Sequence, residues 1–461
     1  MRLFLSLLFS FLISIPLHSQ VVTGDWHGVL DVRGFKLRLV FHINQTDTGY
    51  TATMDSPDQG ANGIPVTSTS FDDPQLRIEA TNIGATYEGQ LNGDRIEGTF
   101  RQAGQEFPLN LSREPIEKVA AIRPQEPRPP FPYHSEEVEF QNPEFDISLA
   151  GTLTLPDKQG PHPVVVLISG SGPQDRNEEL LEHKPFLVIS DFLTRNGIGV
   201  LRYDDRGVGG SKGDYSVATS ADLATDVESA LDFLKSRKEV DQNNIGLMGH
   251  SEGGVIAPMV AAKRDDVAFI VLLAGPGIRG DSILLMQQEL IARAGGASES
   301  TIDSMMETNS RIFAMIQQSM DDEKLKEEMD DYLQKRIDEG STAGMSQKDY
   351  ISMSINSLTN PWMLYFLRYD PAPTLEQVNC PVLAVNGEKD LQVTPQENLK
   401  AIASALERGG NTQVTTMEMA GLNHLFQESE TGSPDEYARI EQTFSPGALS
   451  YILDWIKSQI K

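Results

Sequence analysis

The stretch that most constrains the fold is NIGLMGHSEGGVIAPMVAAK, residues 244–263. It begins as a short apolar run typical of a buried strand, passes through Gly-His-Ser-Glu-Gly, and continues at once in a helical apolar pattern. On such a sharp strand-to-helix turn the serine oxygen is lifted clear of the backbone, and the two flanking glycines avoid steric clash. The N-terminus of the helix adds free N–H groups beside the serine. The pattern therefore predicts that Ser251 is a nucleophile.

The same Gly-x-Ser-x-Gly spacing occurs a second time, in GGSKG at residues 209–213. Here the serine lies in a glycine-rich stretch, and the next helix is expected to begin only at Ser220, acting as its cap. The glycines fit neither the dinucleotide-binding nor the P-loop spacing, so a phosphate cradle is not indicated. We therefore interpret Ser211 as a loop serine.

Strand and helix patterns alternate through the larger part of the chain. The apolar runs PVVVLISG, IGVLRYDD, NIGLMGHS, VAFIVLLAGPG and CPVLAVNGEKD are separated by amphipathic helical patterns such as ADLATDVESALDFLKSRK. Repeated strand–helix units predict an α/β fold with a mostly parallel sheet wrapped by helices. Residues 281–370 contain no convincing strand and interrupt the alternation, which indicates a helical lid.

The part of the chain before this pattern has short strand-like runs and no alternating helices. Residues 21–113 contain roughly eight short runs with partial alternation, as expected for a small all-β barrel or sandwich. Asn92-Gly93 marks a hairpin turn between two of them. Residues 114–133 are rich in proline and form a plausible linker. The predicted catalytic domain then occupies residues 134–461.

The N-terminus and the charge bear on location and partners. Residues 1–20 combine Arg2, an apolar stretch and small polar residues, the layout of a cleaved signal peptide, with an uncleaved membrane anchor as the alternative. We expect export to the periplasm or the medium, with no membrane insertion after cleavage. The net charge of −28 argues against nucleic acid or an anionic membrane as partner and favours neutral or cationic substrates.

The general base is sought among eight histidines. His424, in MAGLNHLFQ, follows the last predicted strand in a glycine- and asparagine-containing loop and is the best candidate. His183 lies in a loop after an early strand and is the weaker alternative. His250 adjoins the serine, and its side chain is expected to point elsewhere. The lone Cys380 fits a buried strand position better than a nucleophile.

The remaining groups follow from the order nucleophile, acid, histidine. CPVLAVNGEKD ends a strand and offers two acids, of which Asp390 lies deeper in the loop and Glu388 fits a solvated turn. An oxyanion hole needs two N–H donors. One is expected from Glu252, after the nucleophile, and the other from Ser171, with Gly172 as its competitor.

With these positions assigned, the chain resembles the α/β-hydrolase superfamily, and most closely bacterial secreted serine esterases with a β-rich N-terminal domain. The resemblance covers residues 135–461 and rests on SGSGPQDRN, RYDDRGVGGS, GHSEGG, NPWMLYFLRYDP, CPVLAVNGEKD and GLNHLFQ. It implies catalytic roles for Ser251, Asp390 and His424, and oxyanion roles for Ser171 and Glu252. The lipase motif His-Gly-Gly-Gly is absent, which lowers the case for bulky tertiary-alcohol esters.

The sequence therefore predicts a serine carboxylesterase acting on small esters of short-to-medium acyl length, with no metal or cofactor required. Nine of the fifteen methionines fall in the lid. They suit either an adaptable apolar pocket, with Trp362 or Phe366 on its wall, or ordinary helix packing. A peptidase with the same triad and a non-catalytic binding protein on the same fold are the alternatives.

Overall fold

The computed structural model describes residues 21–32, 35–59, 61–102, 105–117, 123–337 and 346–460. The predicted signal peptide, residues 1–20, lies outside the described residues, as do parts of the predicted linker and lid. The described chain forms two compact units, with residues 21–117 in the first and nearly all later residues in the second. None of the described helices combines the length and apolar character that a bilayer crossing requires.

The first unit is an antiparallel all-β domain whose sheet follows the path β10-β1-β2-β3-β5-β6-β7-β8-β9, with β4 on β3 and a further pairing of β10 with β8. Its strands are β1 (Gly24–Val32), β2 (Phe35–Thr46), β3 (Gly49–Ser56), β4 (Ala61–Pro65), β5 (Ser68–Asp72), β6 (Gln75–Ala80), β7 (Ala85–Asn92), β8 (Arg95–Gln102), β9 (Gln105–Pro108) and β10 (Leu111–Ser112). Trp26, Phe41 and Tyr87 are buried in its core. The predicted hairpin at Asn92-Gly93 joins β7 to β8, with Gly93 at φ +62°.

The second unit is built on an eight-stranded sheet of order β11-β12-β14-β13-β15-β16-β17-β18. Its strands are β11 (His134–Asn142), β12 (Ile147–Leu155), β13 (His162–Ile168), β14 (Gly199–Tyr203), β15 (Val240–His250), β16 (Phe269–Leu273), β17 (Val382–Gly387) and β18 (Val414–Met419). The pairings from β14 to β18 are parallel, and β11 and β12 pair antiparallel. The predicted fold class, an α/β-hydrolase core with a small N-terminal all-β domain, is confirmed.

Helices cover both faces of this sheet. They are α1 (Pro185–Arg195), α2 (Ser220–Lys235), α3 (Gly253–Ala261), α4 (Gly280–Ala294), α5 (Glu299–Gln318), α6 (Asp322–Arg336), α7 (Gln347–Leu358), α8 (Pro361–Arg368), α9 (Ala372–Leu375), α10 (Pro395–Arg408) and α11 (Pro446–Gln459). On β13, Val164 and Val166 pack against α2, α3 and α10, whereas Val165 and Leu167 pack against α1 and α11. A strand buried on both faces explains the continuous apolar run PVVVLI.

Helix α2 is capped one residue earlier than expected. Its N-cap is Thr219 rather than Ser220, because the Thr219 side chain and Asp222 form a reciprocal capping box. Ser220 is the first helical residue, and its hydroxyl is buried against Glu252.

Within residues 281–370 the described chain is helical, comprising most of α4 and all of α5 to α8. These helices bury a small apolar cluster of their own, which includes Ile316, Met329 and Leu367. The cluster gives this helical layer a core independent of the sheet.

Candidate active site

Three of the predicted site residues follow parallel strands of the same sheet. Ser251 comes directly after β15, Asp390 lies in the loop after β17, and His424 lies in the loop after β18. Parallel strands end at the same edge of a sheet, so the three loops meet there. Ser251 and His424 line one cavity at this edge.

The turn at Ser251 has the strained geometry that the Gly-x-Ser-x-Gly spacing predicts. Ser251 has φ +50°, a left-handed value that costs a non-glycine residue conformational energy. Its N–H donates to the Leu273 carbonyl at 2.8 Å, which anchors the turn to β16. A Cβ at Gly249 would overlap the carbonyl of Gly253, and a Cβ at Gly253 would overlap the carbonyl of Ile168. Both glycines are therefore required by close backbone approach.

His424 and Asp390 form a buried hydrogen-bonded pair. His424 Nδ1 lies 2.7 Å from Asp390 Oδ2, and both residues are buried. The other carboxylate oxygen, Oδ1, accepts the backbone N–H groups of Gln392 at 2.8 Å and Val393 at 2.9 Å. Because the carboxylate only accepts, Nδ1 carries the hydrogen and Nε2 is left free to take a proton.

Three consecutive residues of the loop after β13, Gly170, Ser171 and Gly172, differ in what their backbone N–H groups contact. Gly170 N–H donates to Glu178 Oε1 at 2.7 Å, and Gly172 N–H donates to the Tyr215 hydroxyl at 2.9 Å. Within the described chain the N–H groups of Ser171 and Glu252 have no protein acceptor. Of the two expected donors in this loop, the geometry therefore leaves Ser171 rather than Gly172 available. The oxyanion role itself stays a prediction.

A buried acid holds this loop in place. Asp205 accepts the Ser169 hydroxyl and the Gln174 N–H, both at 2.9 Å. Burial raises the pKa of Asp205 to about 8. Further along, the Arg176 guanidinium pairs with Asp204 at 2.8 Å. These contacts fix the backbone that carries Ser171.

The residues rejected at the sequence level have other roles. Ser211 is buried, donates its hydroxyl to the Asp204 carbonyl at 2.6 Å and accepts the Ala150 N–H at 2.9 Å. His183 lies 2.9 Å from the Tyr437 carbonyl, and burial lowers its pKa to about 4. Glu388 is exposed and accepts the Gly421 N–H. None of these three lines the cavity.

The cavity has a volume of about 240 Å³ and a mainly apolar wall. The rings of Trp362 and Phe366, both on α8, stack at 5.3 Å and line it. Trp362 also donates its indole N–H to Glu252 Oε1 at 2.7 Å, which ties α8 to the turn at the nucleophile. Burial raises the pKa of Glu252 more than its hydrogen bonds lower it. No methionine of the described lid lines this cavity.

The X-Pro dipeptidyl-peptidase family (S15) matches residues 146–422, which is more than half of the chain. The chain belongs to this family. The family match places it among hydrolases, and one of its curated relatives is named as an esterase. Esterase EstD of Thermotoga maritima is 28% identical over 295 residues, 63% of this chain, and the match spans only 61% of EstD.

Two further comparisons each cover more than half of the chain. An uncharacterised 31.7 kDa protein of Escherichia coli is 23% identical over 316 residues, covering 68% of this chain and 96% of the relative. The structure of the Pyrococcus furiosus esterase Pf2001 covers 75% of this chain and 100% of its own, at 14% identity and a TM-score of 0.45.

Two residues that the sequence analysis did not assign to the site, His250 and Glu178, line the cavity of this S15 family member. His250 was expected to point away, but it lines the cavity, with Nδ1 2.9 Å from Glu178 Oε1 and Nε2 3.0 Å from the His424 carbonyl. The reason is strand parity. His250 projects to the same face as Met248, where the loop around Phe426 packs. The alternation of side chains along β15 could therefore have predicted which face His250 lies on, whereas nothing in the sequence indicated a role for Glu178.

Proposed function

We propose that the chain is a serine carboxylesterase that cleaves short-to-medium acyl esters through an acyl-enzyme. The observation that carries the proposal is that the strained Ser251 and the imidazole of His424 line one cavity, with the buried Asp390 carboxylate 2.7 Å from His424 Nδ1. Ser251 supplies the nucleophile, His424 the base and Asp390 the group that orients the base. The esterase EstD among the relatives supports the ester as substrate.

The proposed reaction runs in two acyl-transfer steps. His424 Nε2 takes the proton of Ser251 as Oγ attacks the ester carbonyl, and the Ser171 and Glu252 N–H groups stabilise the oxyanion. His424 then gives that proton to the alcohol oxygen, which leaves as the C–O bond breaks. Water then attacks the acyl carbonyl and loses a proton to His424. The bond to Ser251 Oγ breaks, His424 returns the proton to Oγ, and the acyl group leaves as the acid. Asp390 stays ionised and stabilises the imidazolium in both steps.

The cavity supports a small, uncharged acyl group. Its volume of about 240 Å³ is below the range of roughly 300–1,000 Å³ typical of sites for drug-sized ligands. Its lining includes Glu178 and Glu252 and, among the described residues, no lysine or arginine. His250 also lines the cavity but is paired with Glu178, so an anionic acyl chain would meet no unpaired cation there, in a protein of net charge −28.

The test is hydrolysis of p-nitrophenyl acetate, butyrate and octanoate, with an ester whose acyl chain ends in a carboxylate as the charge control. We expect acetate and butyrate to give higher kcat/KM than octanoate, and the anionic ester to give at least about tenfold less than its neutral counterpart. Faster turnover of octanoate would contradict the acyl-size proposal. Equal turnover of the anionic ester would contradict the charge argument.

A peptidase is the second candidate, and the family match is the observation that favours it. The same triad cleaves amides, so the geometry of Ser251 and His424 suits both reactions. Dipeptidyl p-nitroanilides with proline in the second position separate the two. If their kcat/KM exceeds that of the p-nitrophenyl esters, the peptidase assignment replaces the esterase one.

We also propose that the protein is exported, on the basis of the signal-like residues 1–20. The supporting pattern is Arg2 followed by the apolar stretch and small polar residues. N-terminal sequencing of protein recovered from the periplasm or medium of a bacterial host tests this. A mature chain that starts near residue 20 is expected, and an intact chain in the cytoplasm would refute it.

A further inference from the structure

The acyl-transfer scheme leaves two buried ionisable groups of the cavity without a role. His250 and Glu178 are 7% and 5% exposed, and His250 Nδ1 lies 2.9 Å from Glu178 Oε1. The His250 ring also lies against the His424 ring, with centroids 4.9 Å apart. A buried charged pair in contact with the general base calls for an explanation, because desolvation makes such pairs costly.

The hydrogen bonds define the protonation state of His250. Its Nδ1 faces a carboxylate oxygen and its Nε2 faces the His424 carbonyl at 3.0 Å, so both neighbours are acceptors. Both ring nitrogens must therefore carry hydrogen, which makes the ring an imidazolium. Burial by itself lowers the pKa of His250, but Glu178, the His424 carbonyl and Asp390 together raise it above its ordinary value. The charged or titratable groups that face the ring are thus the carboxylates of Glu178 and Asp390 and the imidazole of His424.

Glu178 is held in place at a conformational cost. Its backbone has φ +51°, a left-handed value that a non-glycine residue adopts only when its surroundings enforce it. The same oxygen that meets His250 accepts the Gly170 N–H at 2.7 Å. A Cβ at Gly170 would come within 3.2 Å of both Glu178 Oε1 and Ser251 Cβ. One carboxylate thus bridges the loop after β13 and the last residue of β15.

We propose that the His250 imidazolium and the Glu178 carboxylate act as one positioning pair for the catalytic loops. Glu178 fixes the peptide that precedes Ser171, and His250 fixes the backbone of His424, both relative to Ser251. The loops after β13, β15 and β18 are thereby held in register by two side chains. The inference rests on the proposed serine hydrolase function, and neither residue is assigned contact with the reacting atoms.

The test compares Glu178→Ala, Glu178→Gln and the control Glu179→Gln, which alters an exposed neighbour outside the cavity. Each protein is assayed for kcat and KM on p-nitrophenyl butyrate, and for the rate at which a fluorophosphonate labels Ser251. Loss of alignment predicts that Glu178→Ala lowers kcat and the labelling rate by about 10- to 100-fold, with KM within about twofold of wild type. Glu179→Gln is expected to match the wild type.

The dependence of kcat on pH distinguishes positioning by a charged pair from a role in packing alone. In the wild type, kcat is expected to fall as His250 loses its proton at pH values above its raised pKa. Glu178→Gln keeps an oxygen at the Oε1 position that can accept from Gly170 and from His250, but it removes the negative charge that favours the imidazolium. This variant is therefore expected to recover part of the activity that Glu178→Ala loses, and to show its alkaline fall in kcat at lower pH than the wild type, because loss of the Glu178 charge lowers the pKa of His250.

The free energy of unfolding in urea measures the contribution of the same pair without any substrate. A base whose pKa is raised by folding contributes stability that is present below about pH 6.5 and is lost as pH rises through the folded value. The stability advantage of wild type over Glu178→Gln should therefore be larger at about pH 6 than at about pH 9. An advantage that does not change with pH would overturn the proposal.

The remaining outcomes are also decisive. Folded Glu178 variants with wild-type labelling rates and pH profiles would overturn the pair's positioning role. If Glu178→Ala does not fold, the Glu178→Gln profile decides. If the wild type labels at Ser251 but does not hydrolyse the ester, the proposed function fails and the labelling rates still test the pair. If it does neither, the unfolding measurement remains.

Discussion

Replacing Asp390 by asparagine keeps the shape of the side chain and changes the atom that faces His424. The structure determines how the new amide must orient. Carboxylate Oδ1 accepts N–H groups from Gln392 and Val393, so the amide oxygen of Asp390→Asn must take that place. Its NH₂ group then faces His424 Nδ1, now 2.7 Å from a carboxylate oxygen.

This orientation predicts a specific loss. An NH₂ donor requires His424 Nδ1 to accept, which moves the ring hydrogen to Nε2. A protonated Nε2 cannot take the proton of Ser251. In a serine protease the equivalent exchange lowers kcat by roughly 10⁴-fold, and we expect a similar loss, equivalent to about 5 kcal/mol of transition-state stabilisation.

The assay is kcat on p-nitrophenyl butyrate, together with thermal unfolding to show that the variant folds. Glu388→Gln is the matched control, because Glu388 is the exposed acid in the same loop. It is expected to retain wild-type kcat. A folded Asp390→Asn variant with kcat within about tenfold of wild type would refute the tautomer argument, and a larger loss in Glu388→Gln would reverse the choice of acid.

Three further perturbations follow from the site. Trp362→Phe removes the indole N–H bond to Glu252 and should lower kcat/KM roughly 3- to 30-fold, which an unchanged value would contradict. Gly249→Ala should yield little folded protein on expression, because its Cβ would overlap the Gly253 carbonyl. Asp205, with a pKa raised to about 8, binds a proton that the unfolded chain releases above about pH 4, so stability falls as pH rises between these values. Asp205→Asn should lessen that fall, as measured by urea unfolding at several pH values. The same dependence of stability on pH in the variant and the wild type would contradict this prediction.

The sequence allowed the fold class and the meeting of the three site loops to be predicted, for one physical reason. Strands buried on both faces leave continuous apolar runs, and parallel strands must end at the same edge. Ser251 and Asp390 each follow such a run, and His424 follows the partly exposed parallel strand β18 beside β17, so their proximity did not depend on details of packing. The glycines around Ser251 also allowed the tight turn to be predicted, because close backbone approach excludes any other residue there.

Side-chain contacts between distant segments could not be predicted in this way. Glu178 reaches His250 only because its loop adopts a left-handed φ of +51°, which no local pattern signals. The hydrogen bond from Trp362 to Glu252 depends on how α8 lies over the nucleophile turn. The choice between Ser171 and Gly172 likewise required knowing that Tyr215 takes the Gly172 N–H.

The central claim is that Ser251, and not Ser211, carries the chemistry. The most direct test is hydrolysis of p-nitrophenyl butyrate by wild type, Ser251→Ala and Ser211→Ala, each shown to be folded. The account predicts that Ser251→Ala abolishes activity, while Ser211→Ala retains catalysis because its hydroxyl only braces the loop at Asp204 and Ala150. Hydrolysis by the Ser251→Ala variant at the wild-type rate would contradict the assignment of Ser251 as the nucleophile.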